Sequence, residues 1–242
     1  MKKLPSISAT DLARIAPLAE EQQRRELALL KKGYPPFTYN PIRKCLADIL
    51  SLQVGGLFGQ QPSTWEQTKA SLTLACAAGD ETTYNLMAAE AIYSFAQENG
   101  LTGRSRIDGF GDMQLGQGYR VSLWEKAVVS YNGRPHILFI DLRSTKGLTK
   151  LGLRFAFSAQ HEQIRERDPD LEEAGLLILK VTPPVDDVRN IRPFTDDGVE
   201  LYSYDELNDM TRRTYELWSE VYFGRVEEEI RRAAGDEGPL FS

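Results

Sequence analysis

The dipeptide Asn132-Gly133 lies between two strand-like segments and constrains the fold of this chain more than any other feature of its sequence. Asn-Gly favours a two-residue type I′ turn, which joins the two strands of an antiparallel hairpin. Residues 119–131 before the turn alternate in polarity, and residues 136–142 after it are mostly apolar. Both patterns are typical of strands. The sequence therefore predicts a hairpin built from these two segments.

A two-residue turn also fixes the register of a hairpin, because each step away from it pairs the next residue on either side. Continued outward, this register places Trp124 opposite Asp141 and Ser122 opposite Arg143. Side chains alternate between the faces of a strand, so these four residues are predicted to share one face of the sheet. A carboxylate and an arginine at the end of an apolar strand indicate either a structural ion pair or part of a functional site.

Helices and further strands are predicted on both sides of the hairpin. A helix over 83–99 and a short strand over 110–115 precede it, and a helix over 148–167 follows. Residues 176–181 are almost continuously apolar, which is typical of a buried strand. These elements predict an α/β fold with a mixed central sheet and additional N- and C-terminal helices.

The order of helix, three-stranded meander, helix and strand, with an Asp-x-basic motif ending the third strand, resembles the PD-(D/E)xK nuclease superfamily. The resemblance covers residues 81–182 and implies a restriction-endonuclease-like core in which carboxylates hold Mg²⁺ and a lysine activates water. Carried over to this chain, Asp141 is the metal ligand and catalytic acid, and Arg143 occupies the lysine position. The aspartate expected on the second strand falls at Ser122.

Two residues of this chain therefore depart from the pattern of the superfamily. Arginine stays protonated and cannot act as a general base, although it can hold a phosphate. Lys146 in the following loop is the alternative for the lysine role, and Glu125 is predicted to point to the opposite face. The other groups considered for completing the site are Asp108, Asp112, Glu81, Glu90, Gln160 and Gln163.

Four basic residues around the motif form what we call the basic lip: Arg143, Lys146, Lys150 and Arg154. Cations near the start of a helix suit contact with phosphate groups. The basic lip is therefore the predicted nucleic-acid-binding surface, with ordinary solvated loop cations as the alternative interpretation.

Three zones are predicted along the chain. Residues 1–63 combine N-terminal helices with an extended aromatic and proline-rich strap, residues 64–182 form the nuclease-like core, and residues 183–242 form a helical extension. The strap cannot be helical, because each proline removes a hydrogen-bond donor and restricts the residue before it.

Composition limits the function classes that fit this chain. The formal net charge is −6, which disfavours a surface that coats nucleic acid broadly. Neither histidine and neither cysteine has the spacing of a metal site or a catalytic triad. No apolar run approaches the roughly 18 residues of a membrane span. We expect a cytoplasmic protein without a membrane partner.

The last four residues, 239–242, read Pro-Leu-Phe-Ser and follow a flexible Gly-Asp-Glu-Gly segment. A tail ending in Leu-Phe resembles the short sequences with which bacterial replication and repair proteins dock on the sliding clamp, although the usual glutamine is absent. A frayed tail is the alternative.

Two functional hypotheses follow from these observations. The first is a binding protein on a degenerate nuclease-like fold, without nuclease activity, whose partner is nucleic acid, with DNA as the expected type, or another protein. The second is a metal-dependent DNA endonuclease of a mobile-element, repair or defence system, with Mg²⁺ as its cofactor. The missing second acid and the arginine at position 143 favour the first.

Overall fold

The computed structural model describes residues 4–30, 38–54, 63–77, 79–106 and 108–235. Within these ranges the chain forms helices and strands whose bounds agree with the sequence in several places and differ from it in others. The helices are α1 (Ala9–Ile15), α2 (Glu20–Ala28), α3 (Asn40–Lys44), α4 (Leu46–Ile49), α5 (Trp65–Ala75), α6 (Asp80–Glu98), α7 (Lys150–Gln160) and α8 (Tyr204–Gly235). The strands are β1 (Gln53–Val54), β2 (Thr102–Ser105), β3 (Met113–Leu115), β4 (Tyr119–Val121), β5 (Ala127–Tyr131), β6 (Arg134–Asp141), β7 (Gly175–Val181) and β8 (Ile191–Thr195).

Six of these strands form one mixed sheet in the order β1-β2-β5-β6-β7-β8. The strands β2, β5 and β6 make an antiparallel meander, and α7 connects β6 to the parallel strand β7. The predicted α/β class and mixed sheet are confirmed. The finer likeness to a restriction-endonuclease core stays a prediction.

The sheet draws on all three predicted zones of the chain. Its first strand, β1, comes from residues 1–63, and its last strand, β8, comes from residues 183–242. The strands β3 and β4 form a separate two-stranded sheet. No helix in the described part of the chain is both long and apolar enough to cross a bilayer.

Both faces of the sheet are covered by helices, which explains the continuous apolar sequence of β6 and β7. Ile137 and Phe139 pack on one side, in a core shared with α1, α7 and α8. Leu138 and Ile140 alternate with them and pack on the other side, against α4, α5 and α6.

The predicted hairpin is present, but its longer strand is not continuous. The register set by Asn132-Gly133 is confirmed from Tyr131↔Arg134 to Val128↔Ile137. The predicted pairing of Trp124 with Asp141 is wrong, because the ladder ends at Val128↔Ile137. Residues 119–131 divide into two separate strands, β4 and β5. Leu123 and Trp124, although adjacent, are both buried in the same core, which the alternation of a strand does not permit.

Local capping explains where several helices begin. The Ser8 side chain accepts a hydrogen bond from the Asp11 backbone N–H and starts α1. Thr64 and Gln67 exchange the two hydrogen bonds of a capping box at α5. At the end of α2, the guanidinium of Arg225 donates to the carbonyls of Leu27 and Leu30, so that α8 satisfies groups that a helix end leaves unpaired.

Candidate functional site

Asp141 organises the loop between β6 and α7. It is 1% exposed. Its Oδ1 accepts a hydrogen bond from the Arg143 N–H at 3.3 Å, and its Oδ2 accepts one from the Leu148 N–H at 2.7 Å. Lys180, its ladder partner on β7, donates from Nζ to the Leu148 carbonyl at 2.7 Å. The Asp141 carboxylate therefore stabilises the loop between β6 and α7 through hydrogen bonds to the backbone of that loop.

This environment does not fit the predicted magnesium site. Both oxygens of Asp141 already accept backbone hydrogen bonds, and Ser122, at the position of the expected second acid, lies instead on the wall of a separate cleft. Among the residues that the structure describes, no group of three or more histidine, cysteine, aspartate and glutamate side chains can hold a metal ion. Magnesium prefers near-octahedral sets of oxygen ligands. We derive no metal-dependent step for this chain.

Arg143 is held by the N-terminal helix α1. Its guanidinium donates to Asp11 Oδ2 at 2.8 Å and to Ser8 Oγ at 2.7 Å, and it also bonds to Asp11 Oδ1. Burial opposes the charge of Asp11, but the hydrogen bonds and attraction from Arg143 outweigh it and lower the pKa of this carboxyl. Arg143 is therefore the partner of a carboxylate that sequence reasoning did not associate with it.

The other three residues of the basic lip do not converge on one point. Lys146 and Lys150 are exposed. The Arg154 guanidinium lies 3.8 Å from the centre of the Tyr202 ring and 3.6 Å from Glu200 Oε2. The basic lip thus consists of two arginines that contact protein groups and two solvated lysines.

The remaining acids considered for the site have separate positions. Glu81 lies in the first turn of α6. Its carboxylate accepts hydrogen bonds from the backbone N–H groups of Ala77 and Thr38, which lower its pKa. Glu90 is exposed on α6. Asp108 and Asp112 lie on the wall of a cleft together with Glu125, on the side of the sheet covered by α3.

We call this depression the α3 cleft. It has a volume of about 560 Å³ and lies where β2 and β5 diverge. Its lining includes Arg43 and Lys44 from α3, Phe110 from the loop after β2, and Trp124 and Lys126 before β5. The break in the predicted strand 119–131 creates this space.

Glu125 lies in the lining of the α3 cleft. It is 8% exposed, and its backbone N–H donates to the Leu138 carbonyl at 2.7 Å. Its carboxylate accepts a hydrogen bond from the Ile140 N–H, and Oε1 lies 3.6 Å from Nε of Arg43. Burial raises the pKa of Glu125, and Arg43 offsets this only in part.

Replacing Glu125 by glutamine is expected to change how stability depends on pH. A group whose folded pKa is raised contributes stability that is present below the unfolded value, here 4.5, and is lost as pH rises through the folded pKa. The wild type should therefore lose stability relative to Glu125→Gln as pH increases above 4.5. Urea unfolding of both proteins at several pH values measures this. A difference that stays constant with pH would contradict it.

Gln160 and Gln163 do not line the cleft but hold its surroundings in place. Gln160 Nε2 donates to the Leu123 carbonyl at 2.8 Å, and Gln163 Nε2 donates to the Phe110 carbonyl at 2.9 Å. Gln163 belongs to a π-helical turn, His161–Arg165, that continues α7. These glutamines are thus positioning residues for the loops on either side of the cleft.

Comparison with known proteins gives the class of this chain. It belongs to a family of sliding clamp-binding bacterial toxins. The family is SocB, described as "Sliding clamp-binding bacterial toxin SocB", and its model matches residues 10–228. The DNA replication inhibitor toxin SocB of Caulobacter vibrioides (strain NA1000 / CB15N) is 34% identical over 226 residues, which is 93% of this chain and 94% of the relative. No solved structure matches the chain.

Proposed function

We propose that this chain binds the bacterial sliding clamp and inhibits DNA replication through that contact. The support is its membership of a family described as clamp-binding toxins and its similarity, over nearly its whole length, to a DNA replication inhibitor toxin. A partner-binding role without nuclease chemistry also agrees with Asp141 and Arg143, which are both engaged by protein groups.

Besides Leu138-Phe139, which is buried in β6, the chain contains two Leu-Phe pairs that can serve as apolar anchors for the clamp. They are Leu57-Phe58 and Leu240-Phe241. The family model spans residues 10–228, so it includes the first pair and ends before the second. Gln53 lies four residues before Leu57. It supplies the glutamine that the C-terminal tail lacks. This observation carries the assignment of residues 53–58 as the docking segment.

Both Leu-Phe pairs lie outside the described residues, but the flanks of the first are described. Gln53 and Val54 form β1, the strand at the margin of the six-stranded sheet. On the far side, Ser63 Oγ donates to Asp48 Oδ1 at 2.9 Å. The described chain therefore leaves the sheet after Val54 and resumes at Ser63, so described residues stand on both sides of Leu57 and Phe58 in the sequence.

Replacing Leu57 and Phe58 together by alanine is expected to weaken clamp binding about ten-fold or more, because two apolar anchors often carry much of an interface's binding energy. Surface plasmon resonance with immobilised clamp measures the change. The matched control is the double replacement of Leu240 and Phe241 by alanine, which removes the same side chains from the tail.

The outcome for the two double variants distinguishes the segments. Weak binding by the first variant and normal binding by the second supports residues 53–58. The reverse result would show that the C-terminal tail is the docking segment. No binding by the unmodified protein would overturn the proposed function itself.

We also propose that the scaffold is a divergent PD-(D/E)xK-like fold that has lost the nuclease site. The order α6, meander, α7, β7 and the position of Asp141 at the end of β6 support this relationship. Ser122 and Arg143 replace two groups that the chemistry needs. We expect no cleavage of supercoiled DNA with Mg²⁺ or Mn²⁺; protein-dependent nicking that is lost in Asp141→Asn would contradict this.

A further inference from the structure

The loop after β2 forms one wall of the α3 cleft and is held by hydrogen bonds to neighbouring elements. Gly109 and Gly111 have φ values of +63° and +70°, a backbone region that glycine enters without strain. The Gly111 carbonyl accepts a hydrogen bond from the Trp124 indole N–H at 3.1 Å, and Gln163 holds the neighbouring Phe110 carbonyl. The cleft is thus formed before any ligand arrives, which reduces the entropic cost of binding.

The lining of the cleft combines three kinds of group. Phe110 supplies half-buried aromatic surface, and the Arg106 guanidinium lies 4.9 Å from the centre of its ring. Trp124 and Phe139, which are 6% and 2% exposed, lie behind it, and Glu125, which is 8% exposed, supplies a carboxylate. Lys44 and Lys126 supply ammonium groups, and Lys126 is exposed. The volume, about 560 Å³, lies within the range of small-molecule sites.

The other charges of the cleft have partners or lie at its outer edge. Arg43 lies 3.6 Å from Glu125, and Asp112 lies 3.8 Å from Arg120. Asp108 is exposed. A ligand that fits must therefore offer a planar apolar surface, hydrogen-bond donors for a buried carboxylate, and a negative charge for the lysines.

We propose that the α3 cleft binds a nucleotide, either free or as the end of a nucleic-acid strand. The base lies against the aromatic lining, its amino group donates to Glu125, and the phosphate contacts Lys126. A planar ring binds well to aromatic surfaces, and phosphate binds ammonium groups through charge-assisted hydrogen bonds. Leu52, which precedes the docking segment, and Ser105, the ladder partner of Val54, belong to the lining, so the cleft adjoins residues 53–58 and adds a second ligand to the proposed clamp-binding function.

Isothermal titration calorimetry of the full chain with each of the four deoxynucleoside triphosphates, and with a 5′-phosphorylated pentanucleotide, tests the proposal. We expect saturable binding that weakens about ten-fold in Lys126→Glu, the equivalent of losing one charge-assisted hydrogen bond. Lys69→Glu is the matched control, because it makes the same charge change at an exposed lysine on α5, outside both the cleft and the basic lip. Thymidine triphosphate should bind most weakly, because thymine has no amino group to donate to Glu125.

Each result has a defined meaning. Tighter binding of the pentanucleotide identifies a strand end as the source of the nucleotide, and tighter binding of a triphosphate identifies a free one. No saturable binding of any probe, or equal loss in Lys126→Glu and Lys69→Glu, overturns the proposal. Clamp binding measured on the same variants should be unchanged, so failure here is distinguishable from failure of the proposed function.

Discussion

Replacing Arg143 by alanine is expected to lower the free energy of unfolding by about 3 kcal/mol, the typical loss when one partner of a largely buried ion pair is removed. Asp11 would keep its charge in a mostly buried position without its principal cation. The same change should leave the affinity of the folded protein for the clamp unaltered. Urea denaturation and clamp binding of the same preparation measure both quantities.

The control for this prediction is Lys146→Ala, which removes a neighbouring exposed cation and should change stability by less than about 0.5 kcal/mol. The double replacement of Asp11 and Arg143 by alanine should be less destabilising than the sum of the single changes, because it leaves no unpaired charge. Additive single effects would show that the two residues do not interact.

The Asp11–Arg143 pair also predicts a dependence on pH. A carboxyl with a lowered folded pKa contributes stability above its unfolded value, here 3.8, and loses it as pH falls through the folded pKa. The stability difference between wild type and Arg143→Ala should therefore shrink below pH 3.8.

Replacing Gly116 by alanine is expected to destabilise the protein by about 3 kcal/mol, combining backbone strain with overpacking. Gly116 has a φ of +46°, and an added Cβ would lie 2.7 Å from the backbone nitrogen of Arg212 in α8. The α8 backbone cannot rotate away as a side chain can. The β3–β4 turn would have to separate from α8, and thermal unfolding would show the loss.

Gly118 in the same turn provides the matched control. Its φ is +90°, but an added Cβ would meet no atom within 4 Å. Gly118→Ala should therefore cost only the conformational strain, about 1 kcal/mol. Equal destabilisation by the two variants would show that the contact between the turn and α8 does not contribute.

Local signals in the sequence predicted those parts of the fold that depend on neighbouring residues. The Asn132-Gly133 turn and the apolar run of β7 are both present, because each depends on residues only a few positions apart. The strand β2 was missed, since Thr102–Ser105 is short and polar. Its glycine, Gly103, is needed because a Cβ there would lie 2.4 Å from the Val128 carbonyl oxygen.

The candidate site was predicted less well because its partners are distant in sequence. Asp11 and Arg143 are 132 residues apart, and no periodicity connects them. The α3 cleft arises where an expected strand breaks at Leu123-Trp124. Both side chains are buried in the same core, which depends on tertiary packing and not on local sequence. The glutamine and Leu-Phe pair of residues 53–58 and the Leu-Phe pair of the tail are local features of the sequence, and both stay predictions.

The two margins of the central sheet have a consequence for how this protein can meet a partner. The strand β8 has Pro193 at its centre, and proline has no N–H to offer to an added strand. The opposite margin, β1, is two residues long. Neither margin is a good template for β-augmentation, in which a foreign peptide extends a sheet through backbone pairing. Contacts of the described part of this chain with a partner are therefore expected to come from side chains and loops rather than from a strand added to the central sheet.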